Sequence, residues 1–180
     1  MTELKGCMAE PSAPGLAGAL VIEGYASLWG VADLNGDVVA EGAFGDSLAR
    51  TGAGGVRMLH QHESRAVVGV WDEMTEDERG LFVRGRIKDW SAEARYATAL
   101  SRAGALDGLS IGFRAQKARR EGKLRILAQV ELWEVSLVRF AALTKARFWA
   151  ASDDCLRPQA DIAEVRSRDA HSAAGSRPRV

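Results

Sequence analysis

Long hydrophobic runs are missing from this 180-residue sequence. The longest apolar stretch, near residues 16–22, is far shorter than the ~20 residues that a transmembrane helix needs. The first five residues also lack the basic and then apolar layout of a signal peptide. We therefore expect no membrane partner and no secretion signal.

Cysteine and net charge are scarce as well. Cys7 and Cys155 lie near opposite ends and form no Cys-x-x-Cys motif, so we interpret them as free thiols in a reducing cytosol. Lys plus Arg and Asp plus Glu both number 24, which gives a formal net charge of zero. A nucleic-acid-binding domain should show a basic excess or stripe, so no nucleic-acid partner is expected.

The chain divides into a central domain and two weakly patterned ends. Residues 1–17 carry two prolines and no periodicity, and we interpret them as a loose leader. Residues 151–180 are polar and rich in arginine, which favours a disordered tail. The core should therefore occupy residues 18–150, long enough for one domain with a real hydrophobic centre.

Strand patterns dominate that central domain. A short helix is expected at residues 42–49 and an amphipathic helix at 91–103, with Ser91 as N-cap and Tyr96 on the apolar face. Many strands without a regular βαβ alternation indicate an α+β domain, mainly an antiparallel β-barrel with flanking helices. The predicted strands are 20–29, 56–62, 66–73, 80–88, 108–118 and 123–138.

Three short segments supply a histidine, a serine and a carboxylate within apolar, strand-like runs. They are residues 58–62, 106–113 and 132–138. Serine is a poor nucleophile without an adjacent base, which a histidine can provide, and an acid can hold the tautomer of that histidine. The order His, Ser, acid differs from the orders of the chymotrypsin, subtilisin and α/β-hydrolase sites. The segments therefore point to a less common serine hydrolase.

On the residues alone, alternatives stay open for each position. Ser110 is equally a small residue in a strand bounded by glycines, and His60 and His62 share strand parity, so both would point to one face. Asp33, Asn35 and Asp37 imitate the first half of a calcium loop, but the required glycine and glutamate are replaced. We interpret this segment as a tight turn held by local hydrogen bonds from Asp33 and Asp37.

A metal hydrolase is a further alternative, because a His-x-His pair with Glu63 and a third ligand can bind zinc. The third histidine, His171, lies in the expected tail, so no metal and no cofactor are predicted.

Between about Gly24 and Ala146, seven short pieces of the sequence follow one another in a recognisable order. They are Gly24-Tyr25-Ala26-Ser27, Asp33 with Gly36-Asp37-Val38-Val39 and Gly42-Ala43-Phe44, Met58-Leu59 with Gln61-His62, Gly69-Val70-Trp71, Gly80-Leu81, Gly104-Ala105-Leu106 with Leu109-Ser110-Ile111-Gly112-Phe113, and Glu134-Val135-Ser136-Leu137-Val138. Through these pieces the sequence resembles the HK97-type phage prohead (capsid maturation) proteases.

The resemblance implies a fold similar to the herpesvirus assemblin proteases and a catalytic set of His62, Ser110 and Glu134. His62 matches the family's Leu-x-Gln-His pattern, whereas His60 stands where that pattern has an aromatic or apolar residue. The family's Pro-Ala-Asn after the acid strand is replaced here by residues 140–143, so this turn departs from the family's pattern. Arg139 is a candidate for the oxyanion loop.

A hairpin centred near Glu121 would place Ser110 opposite Leu132. Glu134 would then be a diagonal neighbour of Ser110, roughly 7–8 Å away, which leaves room for one imidazole. Glu131 has the opposite parity and would face away. Gly108 and Gly112 would leave space for a peptide substrate beside Ser110.

The implied function is a serine endopeptidase that removes the scaffolding segment of the major capsid protein, and cleaves itself, during prohead maturation. We expect it to oligomerise inside the immature capsid, in the cytoplasm of a bacterial host, for a phage, a prophage or a gene transfer agent. The alternative is an inactive scaffold or capsid-interaction module of the same fold.

Overall fold

A computed structural model describes residues 19–151 of the chain. Cys7, Cys155, His171, the proposed leader and nearly all of the proposed tail lie outside this range, so those predictions stay untested. Within it, no helix is long and apolar enough to cross a membrane. The strands and helices are β1 (Leu20–Leu28), β2 (Asp37–Val39), α1 (Gly45–Thr51), β3 (Arg57–His60), β4 (Val67–Glu76), β5 (Gly80–Ile87), α2 (Ala92–Arg102), β6 (Gly108–Glu121), β7 (Leu124–Val138) and β8 (Phe148–Ala150).

The longest strand, β7, is paired along both of its edges. On one edge it forms an antiparallel hairpin with β6. On the other edge it pairs in parallel with β2 at Arg125–Leu127 and with β3 at Glu134–Leu137. The prediction of a mainly antiparallel barrel is therefore only partly right, because the sheet is mixed. The parallel partners of β7 are three and four residues long, so their pattern of apolar and polar residues is too short to distinguish parallel from antiparallel pairing.

The rest of the sheet continues antiparallel from β3 through β4, β5 and β1 to β8. The sheet curls into a half-barrel. The start of β6 and the residue before β8 approach each other there, at the isolated bridge between Gly108 and Arg147. The short strands β2 and β8 were not predicted, and β3 ends two residues earlier than expected. Three-residue strands carry too little alternation to be distinguished from loops.

The β6–β7 hairpin closes through a two-residue turn at Gly122 and Lys123, with Gly122 at a φ of 60°. Glycine is favoured there because short hairpin turns need a positive φ. The predicted register is wrong, since Ser110 faces Ser136 and not Leu132. The ladder also contains register shifts, so a single pairing rule could not hold over its whole length.

The two faces of the β6–β7 hairpin differ in chemistry. Leu109, Val135 and Leu137 point into the hydrophobic core, where all three are completely buried. Ser110, Glu134 and Ser136 alternate with them and therefore share the opposite face. Because the register error is an even number of residues, Ser110 and Glu134 stay on one face, as predicted.

The two helices lie close to their predicted positions. Ser91 caps α2 as expected, since its Oγ accepts a hydrogen bond from the backbone N–H of Ala94 at 3.1 Å. The buried face of α2 consists of Ala94, Ala97 and Thr98, whereas Tyr96 is 52% exposed. The predicted placement of Tyr96 on the apolar face was therefore wrong, because small side chains allow a closer approach to the sheet than the large aromatic ring does.

The loop that leads into β2 is tied to β7 by a salt bridge at the first residue of β2. Asp33 Oδ1 accepts the backbone N–H groups of Asn35 and Asp37 at 2.8 and 2.9 Å, as the turn prediction required. Asp37 has a different role from the predicted one: its carboxylate receives two hydrogen bonds from the Arg125 guanidinium, one of them at 2.7 Å. Asp37 is buried, so this pair fixes the loop against the sheet.

We predict that Arg125→Met lowers the free energy of unfolding by about 1–3 kcal/mol, because the buried Asp37 carboxylate loses its charged partner. Arg86→Met removes a guanidinium from the more exposed pair with Asp72 and should cost ~1 kcal/mol or less. Urea unfolding of both variants measures the difference. Equal losses would contradict a structural role for the Asp37–Arg125 pair.

Candidate active site

Ser110 lies near the start of β6, at the end of the strand far from the hairpin turn. Directly across from it is Ser136, and Glu134 is the diagonal neighbour, opposite Gly112. These residues share one face of the hairpin, since directly opposed positions in an antiparallel pair project to the same side. The half-buried Ser110 is thus placed next to a buried carboxylate.

The Glu134 side chain occupies the space that a side chain at position 112 would need. A Cβ atom on Gly112 would lie 2.4 Å from Glu134 Cγ and 2.5 Å from Oε1, distances that real Cβ atoms do not reach. The predicted role of Gly112, room for a substrate, is therefore wrong at this point. The glycine instead lets the Glu134 carboxylate lie across β6.

His62 reaches the same face from the end of β3 through a left-handed turn. Gln61 and His62 have φ values of 54° and 61°, in a region of backbone conformation that residues other than glycine rarely adopt. The Gln61 N–H donates to the Leu137 carbonyl at 3.0 Å and extends the parallel pairing by one residue before the chain turns. This turn aims the imidazole at Glu134.

The His62 Nδ1 and Glu134 Oε1 atoms are 2.6 Å apart. The Glu134 side chain is 11% exposed, whereas that of His62 is 44% exposed. Because an ionised carboxylate only accepts hydrogen bonds, a neutral imidazole paired with it carries its proton on Nδ1 and keeps Nε2 as an acceptor. In that tautomer such a pair can act as a base held by an orienting acid.

Ser110 and His62 line the same cavity, which has a volume of about 270 Å³. Within residues 19–151 no hydrogen bond joins Ser110 to the His62 ring. Such contacts are often long before substrate binds. The remaining walls are largely apolar and include Val31, Val39, Phe113, Leu127 and Leu143.

The cavity is also lined by Asp33, Asn35 and Asp37, at the turn that leads into β2. The sequence predicts only a turn here, because a turn pattern does not indicate which surface the turn will cover. Among the described residues no group of three or more His, Cys, Asp or Glu side chains could hold a metal ion.

His60 lies apart from the site, although strand parity predicted that both histidines share one face. Its ring packs edge-on against Tyr96 of α2, with the centroids 6.0 Å apart. Burial, and secondarily the charge of Arg139, lowers the pKa of His60, which favours a neutral ring. The parity argument failed because the positive φ values at Gln61 and His62 end the strand alternation.

Glu131 is also separate from the site, but not for the predicted reason. The ladder passes from Gly112 paired with Glu134 to Phe113 paired with Leu132, so Trp133 is skipped and simple parity does not extend across it. Glu131 instead forms a 2.8 Å ion pair with Arg114.

Arg139, the candidate for the oxyanion loop, lies outside the lining of the cavity. Its guanidinium donates to the Tyr96 hydroxyl at 3.4 Å, beside the ring of His60. The structure therefore associates this arginine with α2, on the side of the sheet that holds His60.

We predict that Gly112→Ala keeps the fold but disrupts the contact between His62 and Glu134, because the new Cβ displaces the carboxylate. The low-field NMR resonance of the hydrogen-bonded His62 Nδ1 proton reports this contact. Gly54→Ala is the matched control, since a Cβ there meets nothing within 4 Å. An unchanged resonance in Gly112→Ala would show that the carboxylate does not need this gap.

Two known structures share this fold. The bacteriophage T4 capsid assembly protease aligns with a TM-score of 0.58 and 15% identity, over 67% of this chain and 82% of that one. The KSHV protease in complex with a hexapeptide phosphonate inhibitor aligns with a TM-score of 0.52 and 15% identity, over 76% of this chain and 66% of that one. The expected similarity to herpesvirus proteases is thus confirmed at the level of the fold.

Sequence comparison identifies the family. The prohead protease of Enterobacteria phage HK97 is 37% identical over 98 residues, which are 54% of this chain and 43% of that protein. The chain therefore spans less than half the length of this relative. The pattern of the caudovirus prohead serine proteases matches residues 9–156, so this chain belongs to that family.

Proposed function

We propose that this protein is a serine endopeptidase of capsid maturation, with Ser110 as nucleophile, His62 as base and Glu134 as the orienting acid. The observation that carries the proposal is the 2.6 Å contact between His62 and Glu134 beside the cavity that Ser110 lines. Membership of the prohead serine protease family supports the same chemistry.

In the proposed reaction, His62 Nε2 takes the proton of Ser110 Oγ as that oxygen attacks a peptide carbonyl. The imidazole becomes cationic and is stabilised by the ionised Glu134 at Nδ1. His62 then gives the proton to the leaving amine, and water hydrolyses the acyl-enzyme by the same path. The low exposure of Glu134 strengthens its interaction with the imidazolium, because little water screens it.

The proposed substrate is the major capsid protein with its scaffolding segment, together with other copies of this chain. The T4 and HK97 relatives are, by their names, a capsid assembly protease and a prohead protease, which supports this choice. The reaction would take place inside the immature capsid, in the cytoplasm of the bacterial host. Copies confined in that shell would act on one another, so we also propose self-processing and oligomerisation there.

Ser110→Ala should abolish trimming of the major capsid protein in a co-expression experiment, because the change removes only the nucleophilic oxygen. Loss of a triad member typically costs about 10⁴–10⁶ in rate. Mass spectrometry of the capsid N-terminus and of this chain measures both substrate cleavage and self-processing. Normal trimming by the variant would favour the alternative of an interaction module without protease activity.

His62→Ala should be inactive in the same assay, whereas His60→Ala should retain partial activity because its ring packs on α2 and not in the cavity. The circular dichroism spectra of the two variants control for folding. If His60→Ala were the inactive variant with a native spectrum, the base would have been assigned to the wrong histidine.

Glu134→Gln should lower the cleavage rate by about 10⁴-fold, much less than the ~10⁶-fold loss at the upper end of the range for Ser110→Ala, since the acid orients the imidazole but does not bond to substrate. Glu131→Gln should be nearly silent because Glu131 pairs with Arg114 at the surface. Cleavage rates of the two variants, compared at equal protein concentration, test this assignment. A reversed order would move the acid to Glu131.

A further inference from the structure

One buried hydroxyl near the site has no partner in the proposed reaction. Ser136 is completely buried, and among the described residues no group forms a hydrogen bond with its Oγ. It stands in β7 within the otherwise apolar run from Val135 to Val138. A buried hydroxyl without a partner is unfavourable, so an alanine of similar size would be expected there.

The position of Ser136 gives this hydroxyl a candidate partner. It directly faces Ser110 in the β6–β7 ladder, so both side chains project from the same face. Opposed residues in an antiparallel pair have Cβ atoms about 4.5–5.5 Å apart, close enough for two serine hydroxyls to form a hydrogen bond in suitable rotamers. Glu134 flanks the pair on that face, and its carboxylate holds His62.

We propose that Ser136 is a positioning residue for Ser110: when Ser110 Oγ turns toward His62 for attack, the Ser136 hydroxyl donates a hydrogen bond to that oxygen and holds it in this rotamer. The proposal rests on the proposed role of Ser110 as nucleophile. Ser110 Oγ can accept this bond while it donates its own proton to His62 Nε2, because a hydroxyl has one donor and two acceptor sites. No proton leaves Ser136 in this arrangement.

A positioning role predicts that Ser136→Ala lowers the reactivity of Ser110 without lowering the thermal stability of the protein. Removing a buried hydroxyl that lacks a partner in the free protein should leave the midpoint of thermal unfolding unchanged or higher. The reactivity of Ser110 should fall, because its oxygen is no longer held toward the base. A role in packing alone would lower both quantities or neither.

The experiment is saturation kinetics of Ser110 labelling by a fluorophosphonate, which separates probe affinity from the limiting rate of covalent attack. Ser136→Ala should lower the limiting rate about three- to tenfold, the effect of one hydrogen bond, and leave the affinity unchanged. Ser136→Thr keeps the hydroxyl and should restore most of the rate. Ser101→Ala removes another buried, unpartnered hydroxyl, on α2, and should leave the rate unchanged.

Two results would overturn the inference. One is a limiting rate in Ser136→Ala within twofold of the original protein. The other is a Ser136→Thr variant with native thermal stability and the same reduced rate as Ser136→Ala. Labelling that persists in Ser110→Ala would instead reject the proposed nucleophile, so the two failures are distinguishable.

Discussion

Strand β7 organises the site because its backbone is hydrogen-bonded along both edges. The antiparallel edge fixes Ser110 through β6, and the parallel edge fixes the approach of His62 through β3. Glu134 belongs to β7 itself and lies between the two. Ser110 and Glu134 are thus held by one continuous network of backbone hydrogen bonds, and the Gln61 N–H extends that network to the residue before His62.

Two local departures from regular structure let His62 and Glu134 meet on the face that carries Ser110. The pair of positive φ values at Gln61 and His62 turns the imidazole away from the direction that strand alternation would give it. The missing Cβ of Gly112 leaves the space through which Glu134 reaches that imidazole. Backbone strain and close approach of this kind are concentrated at functional sites, where surrounding packing maintains them. Here the buried β7 strand and the apolar core beneath it supply that packing.

The end of strand β3 also explains why the two histidines differ. His60 follows the alternation of β3 and packs against α2, where burial lowers the pKa of its ring. His62 follows the turn and faces an open cavity with a carboxylate behind it. Two histidines only two residues apart therefore have unrelated environments, because the strand ends between them.

Sequence by itself determined the strand-rich core, the capped helix α2, the candidate catalytic residues and the family, because each depends on local periodicity or on short motifs. Shared parity also placed Ser110 and Glu134 on one face, since an error of an even number of residues in the register leaves the faces unchanged. Only the tertiary structure decided the parallel pairing of β7, the separation of His60 from His62 and the partner of Asp37. Each of these three features is set by contacts between residues distant in sequence or by backbone dihedral angles. The alternation of apolar and polar residues encodes neither the contacts nor the angles.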